Sequence, residues 1–349
     1  MLAAETRVAP SSDSVALLAT SPVDWKQIVL PLEPFLQAVS KRMSEQISAF
    51  DSDLACYAEY ALSARGKQLR PALVGLSASA IGKAQDSHVT VAVIIEMVHL
   101  ATLVHDDVMD EARIRRGRPT LAANWGNELS VLLGDCLFAR ALELAASFPT
   151  PEICRAVSSA TNTVCAGEIL QTQRRNKLDL SRTEYFKILA MKTGELFALA
   201  CDLGAHLSGA TAKQRATLRQ FGMSLGTAYQ VYDDCVDVFG SERTAGKSLG
   251  TDLAKGKLTL PLLVLLEGNG ATREAVTGMV QHWNTNSFPK LMSLLRQDGA
   301  LDQCREVICE HLQVARDCAG SLPESESRAG LLGLCDTLST QTELLGGIA

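Results

Sequence analysis

The stretch VAVIIEMVHLATLVHDDVMD (residues 91–110) carries a cluster of aspartates at the end of a long apolar segment. Between Val89 and Met109 apolar residues recur with helical spacing and no proline or glycine interrupts them, so the pattern predicts a long helix. Asp106 and Asp110 lie four residues apart, which places both carboxylates on one face of that helix. Like charges at this spacing repel each other, and a bound divalent cation would remove the repulsion.

A second acidic cluster lies in YQVYDDCVDVFG (residues 229–240), at the end of another apolar segment. A single cluster of this kind would more often be a solvated surface patch than a metal site. A second copy favours the metal site. Asp233 and Asp237 repeat the spacing of the first pair, so two helices can present facing acidic walls. Magnesium takes oxygen ligands and often joins carboxylates to substrate phosphates. The two clusters therefore predict a clamp for a metal-bound polyphosphate.

Helical apolar periodicity extends over most of the chain. The further segments with this pattern are 129–146, 153–172, 183–207, 212–239 and 258–266. Turn residues separate them, alternating strand-like segments are scarce, and no βαβ rhythm appears. These features predict an all-α fold, a single large helical bundle around a central cavity that spans residues 25–349. Residues 1–24 are rich in alanine, serine and proline, and we expect a flexible leader there.

Composition restricts the classes of partner and the compartment. The formal net charge of −6 over 349 residues gives no global basic field, so we expect no nucleic-acid partner. Ten cysteines without CxxC pairs favour reduced core thiols in a cytoplasmic protein over disulfides or a zinc site. We expect no transmembrane segment, although the sequence is compatible with peripheral contact with a membrane.

Basic residues at turns and helix ends indicate phosphate binding. Arg115 and Arg116 directly follow the first aspartate cluster, and guanidinium groups bind phosphate oxygens in a bidentate fork. Further basic residues next to glycines or turns are Lys67, Arg70, Lys192, Lys247 and Lys257. Each one alone would more often be an ordinary surface charge. Together they provide for two diphosphate sites, one bridged by metal and one held directly by the cations.

The order of these motifs resembles that of the trans-type (E-) polyprenyl diphosphate synthase family, most of all its long-chain members such as octaprenyl and solanesyl diphosphate synthases. The motifs are GKQLRP (66–71), EMVHLATLVHDDVMD (96–110), RRGRPT (115–120), GEILQ (167–171), KTGELF (192–197), GTAYQVYDDCVD (226–237) and GKSLGTDLAKGKLTLPL (246–262). Two features depart from the family pattern. Arg65 and Gln68 stand where the family often has glycine and arginine, and the C-terminus lacks the basic tail that some short-chain members fold over the site.

The resemblance implies an all-α, generally homodimeric prenyltransferase. It would use about three Mg²⁺ ions per site to condense isopentenyl diphosphate with an allylic diphosphate such as farnesyl or geranylgeranyl diphosphate. The residues implied to bind metal are Asp106, Asp110 and Asp233, supported by Asp107 and Asp237. Those implied to bind the allylic diphosphate are Arg115, Lys192, Thr193, Gln230, Lys247 and Lys257. Those implied to bind isopentenyl diphosphate are Lys67, Arg70, His99 and Arg116. Those expected to carry the catalysis itself are Asp106, Asp110, Asp233, Arg115 and Lys192.

Small side chains before the first aspartate cluster predict a long product. The growing chain should run along the helix that precedes Asp106, and one isoprene unit is roughly 5 Å long, about one helical turn. In the family a bulky residue four or five positions before that aspartate stops growth, whereas Thr102 and Ala101 here are small. We therefore expect a product of roughly C30–C50, made for a quinone side chain. Met97, a turn deeper, is flexible enough either to yield or to obstruct.

Other classes of protein fit the motifs less well. A class I terpene cyclase shares the first aspartate motif but needs no second diphosphate site, which Lys67, Arg70 and Arg116 imply here. A head-to-head synthase of the squalene type has different motifs. A non-catalytic subunit of a heteromeric prenyl synthase would be expected to lose one aspartate motif, and both are intact. A medium-chain synthase, making geranylgeranyl or farnesylgeranyl diphosphate, stays open as an alternative.

Overall fold

Helices follow one another along nearly the whole described chain, and they confirm the all-α fold predicted from the sequence. The computed structural model describes residues 25–63, 66–241, 249–268 and 270–347. The expected leader (residues 1–24), Arg65 and Lys247 lie outside the described residues. Within them, β-structure consists of one two-stranded hairpin.

The helices fall into three successive parts along the chain. The first part comprises α1 (Trp25–Val29), a 3-10 turn (Leu30–Leu32), α2 (Glu33–Ser48), α3 (Ser52–Ser63), α4 (Leu69–Ile81) and α5 (Asp86–Met109). The hairpin follows, with β1 (Ile114–Arg115) antiparallel to β2 (Arg118–Pro119). The middle part comprises α6 (Leu121–Trp125), α7 (Asn127–Ala146), α8 (Glu152–Gln173), α9 (Arg182–Leu189), a π turn (Ala190–Gly194), α10 (Glu195–Leu207) and α11 (Ala212–Phe239). The last part comprises α12 (Thr251–Ala254), α13 (Leu260–Glu267), α14 (Gly270–Gln281), a 3-10 turn (Thr285–Ser287), α15 (Phe288–Gln297), α16 (Ala300–Gly320) and α17 (Glu326–Glu343).

Polar side chains fix where two of the helices begin. At α9 the Ser181 hydroxyl accepts the backbone N–H of Glu184, and the Glu184 carboxylate accepts the backbone N–H of Ser181. Thr211 and Gln214 form the same reciprocal pair at the start of α11. Such a capping box satisfies N–H groups that the first helical turn leaves unpaired, and a cap of this kind stabilises a helix by about 1 kcal/mol.

Helix α5 lies at the centre of the bundle, where it packs against α4, α7 and α10. By length and composition α5 is able to cross a membrane, with a mean hydropathy of 1.7 over its best window. However, 61% of that window is buried inside the structure, as in the core helix of a bundle. The apolarity of α5 is therefore explained by burial among neighbouring helices.

Helices α10 and α11 cross at very short range and form the other half of the core. A Cβ atom on Gly222 of α11 would lie 2.4 Å from the carbonyl oxygen of Phe197 in α10, so only glycine permits this approach. On its other side α11 packs against α16. These contacts fix the position of α11, whose C-terminal part carries the second aspartate cluster.

The segment predicted as one helix over residues 183–207 contains a π turn. The backbone N–H of Glu195 donates to the carbonyl of Ala190, five residues earlier, instead of four. A π turn inserts one residue into the helical register and is frequently found at functional sites. Lys192 and Thr193, both predicted to bind diphosphate, lie in this turn.

The C-terminal segment is held against α16 by one arginine. Arg305 donates to the backbone carbonyls of Thr342 and Glu343, at 3.3 and 3.0 Å, and also to that of Leu345. These carbonyls belong to the end of α17, where a helix leaves its last acceptors unpaired. The described end of the chain is thus fixed on the surface of α16.

Candidate active site

One large cavity brings the two aspartate clusters together. Its volume is about 1270 Å³, larger than the roughly 300–1,000 Å³ of ordinary ligand pockets. Helices α5, α8 and α11, the π turn and the segment around α12 contribute to its walls. The predicted residues that line it are Lys67, Arg70, His99, Thr102, Asp106, Asp110, Arg115, Arg116, Lys192, Thr193, Gln230, Asp233 and Lys257. Residues far apart in sequence therefore meet in one space.

Asp106 and Lys192 form the centre of the first acidic wall. Lys192 Nζ lies 3.8 Å from Asp106 Oδ2, pairs with the Glu168 carboxylate, and donates to Gln171 Oε1 at 2.9 Å. Burial raises the pKa of Asp106, while Lys192 opposes this shift and Glu168 adds to it. Burial alone would lower the pKa of Lys192, but Asp106 and Glu168 outweigh it, so the pKa is raised. Lys192 therefore keeps its charge inside the cavity.

Asp110 stands at the C-terminal end of α5 and is surrounded by three cations. Arg175 Nη2 lies 2.9 Å from Asp110 Oδ1, and Lys257 Nζ and Lys255 Nζ lie 2.8 and 3.4 Å from Oδ2. Burial alone would raise the pKa of Asp110, but Lys257 and Lys255 outweigh it, and the pKa is lowered. Asp110 is therefore an ionised carboxylate enclosed by positive charge.

The second acidic wall is tied to the π turn by a chain of hydrogen bonds. Asp233 and Asp234 of α11 both line the cavity. Asp234 accepts from the Tyr185 hydroxyl at 2.6 Å and from Gln230 Nε2 at 2.9 Å, and Gln230 Oε1 accepts from the Thr193 hydroxyl at 2.8 Å. Burial raises the pKa of Asp234 to about 8. Gln230 and Thr193 thus position each other at the edge of the acidic wall.

Two aspartates predicted to support metal binding face protein groups instead of the cavity. Asp107 accepts a hydrogen bond of 2.7 Å from Arg115 Nε and lines a small neighbouring pocket. Asp237 is 1% exposed and accepts from the Thr251 hydroxyl at 2.6 Å and from the backbone N–H of Asp252 at 3.0 Å. Because successive helical residues point about 100° apart, Asp107 points away from the cavity that its neighbour Asp106 lines. Asp237 lies one turn after Asp233 and is turned towards the start of α12 by its hydrogen bonds. Asp107 and Asp237 thus hold Arg115 and the start of α12 by hydrogen bonds, and their supporting role at the metal stays a prediction.

The residues predicted for isopentenyl diphosphate line the same cavity from α4, α5 and the hairpin. The Arg70 guanidinium lies over the Phe197 ring, 4.9 Å from its centroid. Burial lowers the pKa of Arg70, although an arginine stays protonated in proteins. Its buried Nε has no hydrogen-bond partner within the described residues. A buried donor without an acceptor is costly, and an anionic ligand in the cavity would supply one.

His99 is held neutral by its surroundings. Burial is the largest cause, and the nearby Arg70, Arg116 and Arg115 add to it, so the pKa of His99 lies well below its usual value. A neutral imidazole carries one donor nitrogen and one acceptor nitrogen. In this position the donor can serve a diphosphate oxygen, and the arginines mark the region as electropositive.

Only one of the three predicted chain-length residues faces the cavity. Thr102 lines it, whereas Ala101 and Met97 are fully buried and, within the described residues, stand outside its lining. Ala101 and Met97 pack inside the bundle, and their role in chain length stays a prediction. The apolar residues that do line the cavity include Leu100, Leu103, Phe138, Val164, Leu189 and Leu225.

A model of the polyprenyl synthetase family matches residues 52–295, which is more than half of the chain. The chain belongs to the polyprenyl synthetase family. The resemblance inferred from the motifs is thereby confirmed, and so is the enzyme class, a prenyltransferase. The match spans both aspartate clusters and the segment that contains Lys257.

Relatives of this polyprenyl synthetase cover most of its length. It is 35% identical to an all-trans-nonaprenyl-diphosphate synthase (geranyl-diphosphate specific) of Rhodobacter capsulatus over 315 residues, 89% of this chain and 97% of the relative. It is 33% identical to an octaprenyl diphosphate synthase of Haemophilus influenzae, over 86% of this chain and 92% of the relative. Its fold is similar to the crystal structure of a decaprenyl diphosphate synthase from Rhodobacter capsulatus, with a TM-score of 0.86, 30% identity, and coverage of 91% and 99%.

The donor chemistry of the acidic walls fits magnesium. Asp106, Asp110 and Asp233 offer only oxygen ligands, which Mg²⁺ prefers. Within the described part of the chain, no three histidine, cysteine, aspartate or glutamate side chains are grouped closely enough to hold a metal by themselves. Mg²⁺ usually keeps several waters and shares oxygens of a substrate phosphate. The two walls therefore suit an ion that is also bound by a diphosphate.

Sequence reasoning missed several polar residues of the cavity. Those that line it are Glu168, Gln171, Tyr229, Asp234, Asp252 and Lys255. All of them lie inside motifs that the sequence already displays, so treating every polar member of each motif as a candidate would have found them. Arg175 lies outside those motifs, and nothing in its local sequence signals the contact with Asp110.

Proposed function

We propose that this polyprenyl synthetase condenses an allylic diphosphate with successive isopentenyl diphosphates, head to tail and in trans geometry, to make a long-chain polyprenyl diphosphate for a quinone side chain. One observation carries the proposal: the acidic walls at Asp106 and Asp233 and the cationic group around Arg70 line one large cavity that also has apolar walls. The names of the relatives, nonaprenyl and octaprenyl diphosphate synthase, support a long product.

The charged side chains of the cavity divide between the two substrates. Lys192, Lys257 and Arg115 are positioned beside the first acidic wall and would hold the allylic diphosphate. Lys67, Arg70, Arg116 and the neutral His99 would hold isopentenyl diphosphate. Asp106, Asp110 and Asp233 would hold magnesium, about three ions, which would supply Lewis-acid stabilisation of the charge that develops on the leaving diphosphate.

The apolar walls of the cavity protect a reactive cation. Breaking the allylic C–O bond leaves a carbocation, which the double bond of isopentenyl diphosphate attacks to form the new C–C bond. Loss of a proton from the product cation then restores an alkene, and we infer that the departing diphosphate takes this proton. Water in the cavity would quench the cation, so residues such as Leu100, Val164 and Leu225 serve the chemistry by excluding it.

The experiment that tests this function is direct. Purified protein is incubated with isopentenyl diphosphate, Mg²⁺ and either geranyl, farnesyl or geranylgeranyl diphosphate, and the dephosphorylated alcohols are sized by chromatography. We expect chains longer than the primer by several isoprene units, and no product with EDTA. Asp106→Asn and Asp233→Asn should each lower kcat by about 10²–10³-fold, the usual cost of removing one electrostatic stabiliser of a transition state. Products that result from cyclisation would contradict the proposal.

We also propose that the enzyme is a homodimer that associates through α7 and α8. Val131, Leu132 and Ile169 on these helices are large apolar residues that are 40%, 64% and 59% exposed. Exposed apolar groups of this kind are typical of subunit interfaces. Light scattering should report a dimer for the wild type and a monomer for Leu132→Glu. Leu344→Glu, at a similarly exposed leucine just after α17, is the matched control and should stay dimeric.

We propose a cytoplasmic location with peripheral contact with a membrane, as expected for an enzyme whose product is a long apolar chain. The ten cysteines support it, because none of them forms a disulfide in the structure, as expected in a reducing compartment. Cell fractionation tests this: we expect the protein in the soluble fraction and, in part, on membranes, from which high salt or carbonate releases it.

A further inference from the structure

The environment of Asp110 contains more positive charge than one carboxylate neutralises. Of its three cationic neighbours, Lys257 was predicted from the motifs, whereas Arg175 and Lys255 were not. The lysines both approach Oδ2 and the arginine approaches Oδ1, so both carboxylate oxygens are engaged. The side chains are only partly exposed, 23% for Arg175 and 31% for Lys255, so solvent screens them incompletely.

The backbone holds these cations side by side. The N–H of Asn176 donates to the carbonyl of Gly256 at 2.8 Å, which joins the loop after α8 to the loop after α12. Gly256 has a φ of +72°, and a Cβ there would lie 2.4 Å from Asn176 Oδ1, so the junction requires glycine. Arg175 is presented from one loop and Lys255 and Lys257 from the other. Their proximity is therefore a fixed feature of the fold.

Arg175 also carries a donor that no group among the described residues accepts. Its Nε is buried and has no hydrogen-bond partner within the described residues, while Nη2 is occupied by Asp110. Among the described residues Lys255 and Lys257 line the cavity and Arg175 does not, so Arg175 acts through the positive charge it places on Asp110 Oδ1.

We propose that Arg175 and Lys255 make the binding of metal at Asp110 depend on diphosphate. A divalent cation alone has to displace three positively charged neighbours from Asp110 and then remains close to them. A diphosphate in the cavity brings several negative charges and takes over Lys255 and Lys257, which line it, and this releases Asp110 Oδ2 for the metal. The two ligands therefore bind with positive coupling, and by linkage each strengthens the other by the same factor. The inference rests on the proposed function, which supplies both ligands.

The test measures each ligand separately in the double variant Arg175→Gln/Lys255→Gln. The probes are Mn²⁺ alone, followed by electron paramagnetic resonance, and inorganic pyrophosphate with EDTA, followed by calorimetry. We expect Mn²⁺ alone to bind about tenfold more tightly than to the wild type and pyrophosphate alone about tenfold more weakly, within the usual range of such couplings. The opposite signs distinguish the proposal from a general loss of structure, which weakens both.

A matched control removes the same amount of charge from the end of α8 and the loop that carries Arg175. Arg174 pairs with Glu184 and Asp179, and Lys177 is exposed, so Arg174→Gln/Lys177→Gln takes away two cations that do not contact Asp110. Its affinities should stay within about twofold of the wild type, as for distant surface charges. Arg175→Lys, which keeps the charge, should also behave like the wild type if both variants fold, as checked by thermal unfolding.

The possible outcomes separate this inference from the proposed function. If the wild type elongates prenyl chains and the double variant binds both probes like the control, or binds Mn²⁺ more weakly, the coupling is disproved and the proposed function stands. If the wild type does not elongate prenyl chains, the proposed function fails, while opposite shifts for Mn²⁺ and pyrophosphate would still establish the coupling.

Discussion

At the scale of the residue, charged neighbours in the cavity outweigh the effect of burial on the pKa of ionisable side chains. Burial favours the neutral form of every ionisable group, yet Asp110 is ionised and Lys192 charged because oppositely charged groups lie within a few ångströms. His99 is the contrary case, since burial and three arginines act in the same direction. The site therefore combines charged side chains, such as Asp110 and Lys192, with one neutral hydrogen-bond donor, His99. A bound diphosphate changes the charge around His99.

We predict that diphosphate binding raises the pKa of His99. In the free protein the imidazole is neutral, because its pKa lies well below 6.5. An anion next to it offsets the field of the arginines and favours the charged form, so the pKa moves up. NMR of ring-labelled histidine, with the resonance assigned through His99→Gln, should show this shift on adding inorganic pyrophosphate. His206, outside the cavity, should not respond. A His99 resonance indifferent to pyrophosphate would place the anion elsewhere.

Sequence spacing predicted correctly which residues face the cavity where two residues lie one helical turn apart. Asp106 and Asp110 were expected on one face and do share the cavity. Asp107 and Asp237 were assigned from the motif as a whole, and each accepts hydrogen bonds from a residue of the cavity wall, Arg115 and Thr251 respectively. Arg175 could not be found, because its role depends on two loops meeting, which no local pattern encodes.

At the scale of the element, periodicity predicted α5, α7, α8 and α11 to within a few residues, whereas α2, α16 and α17 were not among the predicted segments. The segment 212–239 coincides with α11, and 153–172 differs from α8 by one residue at each end. The hairpin of β1 and β2 was not predicted, because two-residue strands show no detectable alternation of apolar and polar residues. The π turn was not predicted either, since one inserted residue barely changes the helical spacing of apolar residues. Both missed features carry residues of the cavity.

The start of α5 depends on a neutral histidine, which predicts a pH dependence of stability. His88 Nδ1 accepts the backbone N–H of Gln85 at 2.9 Å, and Nε2 lies 3.0 Å from the Ser208 hydroxyl, which itself donates to the carbonyl of Ala78. Nε2 therefore carries the proton, and a second proton on Nδ1 would break the contact with Gln85. Burial accordingly lowers the pKa of His88.

Because the pKa of His88 is lower in the folded than in the unfolded state, its contribution to stability is present above pH ~6.5 and is lost as the pH falls below that value. His88→Gln should reduce the free energy of unfolding by about 1–3 kcal/mol at pH 7.5 and by less at pH 5.5. Urea unfolding at the two pH values measures this. His282→Gln, at an exposed position, is the control. A penalty that grows on acidification would contradict the assigned proton position.

The crossing of α10 and α11 predicts opposite effects of the same substitution at two glycines. In Gly222→Ala the new methyl group meets rigid backbone atoms of Phe197 at 2.4 and 2.7 Å, so we expect a loss of about 3 kcal/mol or more. In Gly278→Ala, inside α14, nothing lies within 4 Å, and the gain in helix propensity should stabilise by about 0.5–1 kcal/mol. Thermal unfolding of both variants measures the difference, and equal effects would mean that α10 and α11 are not in close contact.

At the scale of the whole molecule, function depends on which helix faces meet. Sequence periodicity shows that a helix has an apolar face, but α5 is apolar on several faces, and only packing reveals which residues border the cavity. Of the small residues before the first aspartate cluster, Thr102 borders it, while Ala101 is enclosed by neighbouring helices. Of the predicted chain-length residues, Thr102 is therefore the one whose enlargement should obstruct the cavity directly.

We predict that Thr102→Phe shortens the product. Thr102 stands four residues, about one turn or one isoprene length, before Asp106, so an aromatic ring there should stop growth at roughly C15–C20. Thr102→Val removes the hydrogen bond of 2.7 Å to the carbonyl of His99 but keeps the volume, so its product should match that of the wild type. Ala101→Tyr should instead lower the melting temperature, because an aromatic side chain does not fit a fully buried alanine site. Chromatography of the dephosphorylated alcohols and thermal unfolding together decide the matter. A stable Ala101→Tyr enzyme that makes short chains, beside a Thr102→Phe enzyme with unchanged product, would show that the chain runs along the other face of α5.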